Sequence, residues 1–335
     1  MAAQAAADRS TRAGAPDRAP VISVQHLTKR YKKSSVPAVH DISFEVQQGE
    51  LFAFLGPNGA GKTTTISILT TILAKTSGTV RIDGHDLDHD PAGVRQRIGI
   101  IFQNPSLDLH LSGEENIRLH VALYGIHAYK PMYRLMPATY RDRIEHLARI
   151  VGLEDVLFKP LRTYSGGMKR KLEIIRSLMH RPGILFLDEP TSGLDPVSRR
   201  DLWAYLRRVR EEDNTTIFLT THYLEEAEGA DRVCVIDHGR IAMLGTPDEL
   251  KRRLLVRSIT IDADDRSALG AELASLGLAP EADADGLLRV EYADATAQSI
   301  IARIRTPLTV LRVHEPSLEE AYVELIDGKS EEEAA

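Results

Sequence analysis

The chain holds one cysteine and one tryptophan in 335 residues, aromatics make up 5%, and cationic residues are not in excess. Each shortage excludes something. A single Cys234 cannot close an intrachain disulfide, so packing alone must hold the fold, as suits a reducing compartment. It lies in the apolar run Val233–Ile236, where a small core residue is expected rather than a reactive thiol. Lys and Arg number 42 against 48 Asp and Glu, a formal net charge of −6. That gives no electrostatic case for nucleic acid, which is bound by neutralising phosphates. No apolar run approaches the roughly 20 residues needed to cross a bilayer. A function at a membrane would therefore require spanning segments from another chain. Residues 1–20 are rich in Ala, Arg, Asp and Pro and lack an apolar h-region, which predicts a disordered tail rather than a secretory signal. The charged stretch 329–335 reads the same way. No repeat of 20–50 residues is visible.

What the chain does have is alternation. Over 21–255, short β-rich runs alternate with helical patterns and Gly-containing turns, which predicts an α/β domain. Strands are expected at Ile22–His26, Ser43–Val46, Leu51–Leu55, Ile98–Phe102, Ile184–Leu187, Thr216–Leu219 and Val233–Ile236. Between these, over 104–182, helical patterns at Gly113–Tyr124, Arg141–Val151 and Gly166–His180 predict a helical subdomain inserted in the sheet-forming half. Past Leu255 the pattern changes. Strands at Ser258–Ala263, Leu287–Tyr292 and Leu308–Val313 and helices at Arg266–Leu276, Ala295–Ile304 (N-cap Asp294) and Ser317–Ile326 predict a small α+β domain over 256–328.

Gly56-Pro57-Asn58-Gly59-Ala60-Gly61-Lys62-Thr63 matches the P-loop pattern without mismatch, after the apolar strand Leu51–Leu55 and before a predicted helix Thr64–Leu73. Its glycines let the backbone wrap phosphates with N–H groups turned inward at a helix N-terminus. Lys62 would neutralise the β- and γ-phosphates, the Thr63 hydroxyl would coordinate Mg²⁺, and Thr64 would donate to the α-phosphate. Downstream, Ile184-Leu-Phe-Leu-Asp188-Glu189 is a buried strand delivering acids to its exposed end. Asp188 is then placed to hold Mg²⁺ through water, and Glu189 to act as general base on the attacking water. By contrast His85, His89 and the aspartates among them lie in a polar turn and predict no metal site. Tyr164-Ser165-Gly166-Gly167-Met168 opens a periodic helix with Leu172, Ile175 and Met179 on one face. A Ser-capped, Gly-rich helix start is a second anion site. One nucleotide needs one cradle, so the second could serve a neighbour's ATP.

These residues resemble the ABC ATPase family, whose signature is Leu-Ser-Gly-Gly-Gln or a close variant, and the resemblance runs from about Val21 to Leu255. It implies an α/β P-loop cassette, with a mixed sheet core and a helical subdomain, followed here by the small α+β domain. Residue by residue, Tyr31 matches the aromatic that stacks on adenine. Gln103 matches the Q-loop glutamine that senses Mg²⁺ and water. Ser192-Gly-Leu-Asp195 matches the D-loop, and His222 the switch histidine that touches the γ-phosphate. The resemblance implies two cassettes, identical or paired, stacked head to tail, with each ATP between one P-loop and the opposite Ser165, Gly166 and Gly167.

Tyr164 stands where Leu is usual and Met168 where Gln is usual. That run, with Asp188-Glu-Pro-Thr-Ser-Gly-Leu-Asp-Pro and Thr220-Thr-His-Tyr-Leu-Glu-Glu-Ala-Glu, resembles the daunorubicin-resistance class of exporter ATPases. The resemblance implies a peripheral subunit on the cytoplasmic face of the cell membrane. It would drive export of a drug-like, lipid-like or oligosaccharide substrate through separate multi-span subunits. An importer ATPase and a soluble ABC protein acting on ribosomes or DNA are the alternatives. The segment 128–140, with three tyrosines, two methionines and two prolines, exceeds the family pattern by about ten residues; it reads as a tolerated surface loop or as a contact for the membrane partner.

Overall fold

The computed structural model describes residues 19–32, 34–103, 106–254, 257–282, 286–292, 296–314, 317–320 and 322. Of the expected tails at 1–20 and 329–335, all but Ala19 and Pro20 lie outside them. Contacts divide the chain into two units, Met1–Leu244 and Gly245–Ala335. The division comes about ten residues before the composition shift.

In the first unit, β1 (Ile22–Lys29), β2 (Val39–Val46), β4 (Ser77–Ile82) and β5 (His85–Asp86) form an antiparallel sheet in the order β2-β1-β4-β5. A second sheet takes the order β10-β9-β3-β8-β7-β6. It is built from β3 (Leu51–Leu55), β6 (Ile98–Ile101), β7 (Ile184–Asp188), β8 (Thr216–Thr221), β9 (Arg232–Asp237) and β10 (Arg240–Gly245). Its pairs β3/β8, β3/β9, β6/β7 and β7/β8 are parallel, so the carboxyl ends of β3, β8, β7 and β6 share one edge. Strands β3, β7 and β8 are buried along their whole length, as central parallel strands must be. The two sheets meet through aromatic rings: Phe44 lies 5.6 Å from Phe52 and from Phe54 and 6.0 Å from Phe218. Truncating one such ring to Ala typically costs about 3–5 kcal/mol.

Helix α1 (Lys62–Leu69) follows β3 and ends four residues before the expected Leu73, because Thr71 turns left-handed at φ 64°. Helix α2 (Pro91–Arg97) starts on an Asp90 cap. Between β6 and β7 come α3 (Gly113–Leu123), α4 (Ala138–Val151) and α5 (Gly166–Leu178). α3 carries a full capping box, Ser112 with Glu115. α5 buries Leu172, Ile174, Ile175 and Leu178. Two further helices, α6 (Pro196–Asp213) and α7 (Leu224–Glu228), follow β7 and β8.

The segment 128–140 is tied to the helices on either side of it. Arg118 donates to the Lys130 carbonyl at 2.9 Å, and Tyr133 donates to Glu145 at 2.6 Å. Met136 and Tyr140 are buried, whereas Tyr129, Met132 and Leu135 are exposed.

The second unit starts with α8 (Pro247–Leu254), then runs β11 (Arg257–Asp262), α9 (Arg266–Ser275), β12 (Pro280–Ala282), β13 (Leu288–Tyr292), α10 (Ala297–Ile301), β14 (Val310–His314). Its sheet is antiparallel in the order β12-β13-β11-β14, the split βαβ arrangement of ferredoxin-like folds. A separate core of Ile259, Ile261, Leu269, Leu273, Val290 and Ile300 holds it. The cap of α10 is Thr296, which bonds Ser299 N, and not the expected Asp294, which lies outside the described residues.

Candidate nucleotide-binding site

Strand β3 delivers Gly56 to the edge where the parallel strands end, and Pro57, Asn58 and Gly59 stand exposed beyond it. Gly61 closes the loop at φ 107°, and a Cβ there would lie 2.5 Å from the Ala38 carbonyl oxygen. Only glycine meets both demands. No side chain caps the start of α1, so its first N–H groups are left for an anion. The Lys62 ammonium, 5% exposed, reaches back to the carbonyls of Gly56 at 2.7 Å and Pro57 at 3.1 Å. Burial lowers its pKa, opposed by the charges of Glu189 and Asp188. Ala60 is buried and Thr63 exposed. The Tyr31 hydroxyl stands 3.4 Å from Thr64 Oγ1, which puts this half-exposed ring beside the cradle.

Asp188 ends β7 directly opposite Thr220 of β8 in the strand register, and Thr220 Oγ1 donates to it at 2.5 Å. The Thr63 hydroxyl bonds the same carboxyl group. Burial raises the Asp188 pKa, and these hydrogen bonds with Lys62 oppose it. One residue on, the backbone turns left-handed: Glu189 has φ 44°, held by its N–H bonds to Thr220 O and Oγ1, both at 3.1 Å. Residues with side chains adopt such angles at a cost and mostly at functional sites. Its carboxylate is the meeting point. Gln103 Nε2 donates at 3.1 Å, His222 Nδ1 lies at 3.3 Å and Lys62 Nζ at 3.6 Å. Sequence reasoning singled out all four residues, and the fold brings them together.

Thr63 and Asp188 bring a hydroxyl and a carboxylate together, and Gln103 has an amide oxygen to add; oxygen donors suit a hard cation such as Mg²⁺.

Ser165, Gly166, Gly167 and Asp195 gather elsewhere. Ser165 caps α5 through Met168 N, and Ser165 and Gly166 are exposed. A Cβ on Gly167 would meet Ser198 Oγ at 2.7 Å, and no P-loop atom lies within 4 Å of a Cβ on either glycine. Asp195 caps α6 and accepts from Ser198 Oγ at 2.6 Å. The signature and D-loop residues are thus neighbours of one another. The unusual Tyr164 is buried and donates to the Val156 carbonyl at 2.7 Å, which a leucine could not do.

Three residues escaped the sequence reading. Glu226 accepts from Thr221 at 2.7 Å and from Thr191, tying the segment after Glu189 to the segment before His222. Arg170 reaches across to β6 and β7. Thr220 braces Asp188. The paired threonines beside His222 were the one visible signal.

A phosphate cradle on an uncapped helix, with an Asp-Glu pair on the neighbouring strand end, defines a P-loop NTP hydrolase. Residues 39–192 match the ABC transporter family. The chain is 39% identical to the daunorubicin/doxorubicin resistance ATP-binding protein DrrA of Streptomyces peucetius, over 94% of this chain and 96% of that one. It is 38% identical to the Nod factor export ATP-binding protein I of Ralstonia nicotianae, over 80% of each. Among solved structures it resembles the dimeric post-hydrolysis state of the cassette MJ0796 bound to ADP and Pi. The TM-score is 0.60 at 25% identity, covering 67% of this chain and 98% of that one. The chain belongs to the ABC transporter family as an ATP-binding, ATP-hydrolysing subunit.

Proposed function

We propose that this subunit powers export of a small drug-like, lipid-like or oligosaccharide molecule through separate multi-span membrane subunits at the cytoplasmic face of the membrane. The observation that carries the reading is the extent of similarity to a drug-resistance ATP-binding protein, which runs through 94% of this chain, second unit included. Likeness to a Nod factor export protein points the same way. Among the described residues no helix is long and apolar enough to cross a membrane, so spanning segments would come from partners.

Two cassettes pair head to tail, and Ser165, Gly166 and Gly167 of one face the ATP on the other's P-loop. Lys62, Gln103 and His222 all address Glu189. The γ-phosphate of ATP competes for Lys62 and His222, and the Glu189 carboxylate is then left to accept a proton from the attacking water. Thr63, Asp188 and Gln103 would hold Mg²⁺, which when bound neutralises charge on the β- and γ-phosphates. Lys62, His222 and the partner's helix start stabilise charge on the transferred phosphoryl. Tyr31 stacks on adenine, and Asp195 sits at the interface.

A tagged Glu189→Gln chain, solubilised in mild detergent with ATP, should retain the closed pair and recover a multi-span membrane protein identifiable by mass spectrometry. Recovery of ribosomal or DNA-repair proteins without a membrane protein would overturn the reading.

A further inference from the structure

Arg170 lies on α5, three residues beyond Gly167, and its side chain is 6% exposed. Its guanidinium leaves the helix for the sheet. Nε donates to the Pro190 carbonyl at 2.9 Å, Nη2 to the Asp188 carbonyl at 3.2 Å, and Nη1 to the Phe102 carbonyl. Those three acceptors are not scattered. Asp188 and Pro190 bracket Glu189, and Phe102 immediately precedes Gln103. Glu173, 2% exposed, accepts from Nη1 at 3.1 Å and balances the buried charge. The other Glu173 oxygen accepts from Ser106 N at 3.1 Å, which extends the strap past the Gln103 turn.

Holding α5 in the core does not require this arrangement, since the helix already buries Leu172, Ile174, Ile175 and Leu178. What does require a brace is Glu189. Its left-handed φ of 44° persists only where the surroundings over-determine it. A planar guanidinium holds several acceptors in one fixed geometry, which a lysine ammonium on its flexible stem does not. We propose that Arg170 is a positioning residue for ATP hydrolysis. It fixes the backbone on both sides of Glu189 and ahead of Gln103 to the helix that begins with Ser165–Gly167. The attitude of the carboxylate toward its own ATP is then set by the helix that meets the neighbouring cassette's nucleotide, so closure at one site is felt at the other. The inference rests on the reading of Glu189 as general base and of Ser165–Gly167 as a partner-facing element.

The test uses full-length protein carrying Arg170→Lys, the double change Arg170→Met with Glu173→Met, or Glu189→Gln. Lysine keeps the charge opposite Glu173 but cannot satisfy three carbonyls. The double change removes both buried charges together, a replacement that folds commonly tolerate. Both should lower kcat at least tenfold while the Kd for a fluorescent ATP analogue stays within twofold, because the P-loop is untouched. A merely structural role would loosen the cassette and move Kd and kcat together, and that result would overturn the proposal. So would a kcat within twofold of the parent in either folded variant, alongside an inactive Glu189→Gln chain. If Glu189→Gln itself keeps the parental kcat, the assignment of Glu189 fails and this inference falls with it.

Discussion

At the scale of single residues, the site is held by buried polar side chains that do not touch the nucleotide cradle. Glu226, 4% exposed, takes the Thr221 and Thr191 hydroxyls as donors, and those threonines lie next to His222 and two residues past Glu189. Glu226→Ala leaves both buried hydroxyls without that acceptor, and a buried polar group left unsatisfied costs about 1–3 kcal/mol. In a unit of this size each kcal/mol is worth about 2–4 °C in Tm. The expected result is a Tm several degrees lower, with kcat/KM reduced as the two segments slip. Glu226→Gln, which keeps one acceptor oxygen, should recover about half of each. A Glu226→Ala chain with the parental Tm and kcat/KM would show that the tie does nothing. None of this was legible beforehand, because a Glu in a short amphipathic helix reads as a solvated residue until the fold buries it.

Among elements, α3 and α5 meet at a cluster of weakly basic groups. His120 of α3 stacks on Tyr124 at 4.2 Å, and Tyr124 stacks on His180, just past α5, at 6.2 Å. Burial first, then the charges of Arg176 and His180, push the His120 pKa down to about 3. Burial also lowers that of His180, against the bond to the Ile98 carbonyl that raises it. An unfolded histidine takes its proton near pH 6.5, whereas folded His120 stays neutral until near 3. The unfolded chain therefore binds more protons in that window, and stability is lost as pH falls through it. The slope is at most about 1.4 kcal/mol per pH unit for each proton. Urea unfolding between pH 7 and 5 should show this acid limb, flattened in His120→Gln; equal slopes in the two proteins would refute the account. The helices themselves were partly legible. α3 and α5 were placed to within two residues by their helical patterns, α5 also by its Ser165 start. α6 was not anticipated: Leu202, Tyr205, Leu206 and Val209 are its buried stripe in an otherwise charged run. Strands β4 and β10 were missed: β4 has only Val80 and Ile82 as large apolar residues, and β10, though apolar, is only partly buried.

For the molecule as a whole, the question is which surface meets a membrane partner. The segment 128–140 separates into two kinds of residue. Met136 and Tyr140 are buried and Tyr133 is tied to Glu145, while Tyr129, Met132 and Leu135 stay exposed; the exposed Phe158 meets the Tyr133 ring edge-on at 5.1 Å. Replacing Tyr129, Met132 and Leu135 together by Ser should leave Tm and basal ATPase within experimental error. It should lower coupled transport by membrane vesicles severalfold if this face docks the partner; unchanged transport would remove it from the interface.

The amino-acid sequence by itself determined the parts that are local backbone devices: the Gly-rich turn into α1, the apolar strand ending in Asp188-Glu189, and the Ser-capped start of α5. Each is specified within about ten contiguous residues, where turn chemistry and capping act. Only the tertiary structure decided what those parts do together. Gln103 and Glu189 are 86 residues apart, and Thr191 and Glu226 are 35 apart. They meet because the parallel order β3-β8-β7-β6 sets four strand ends along one edge, where loops distant in sequence converge. That order, and the buried Arg170 and Glu226 that lock it, arise from packing across the whole sheet, which no local pattern encodes.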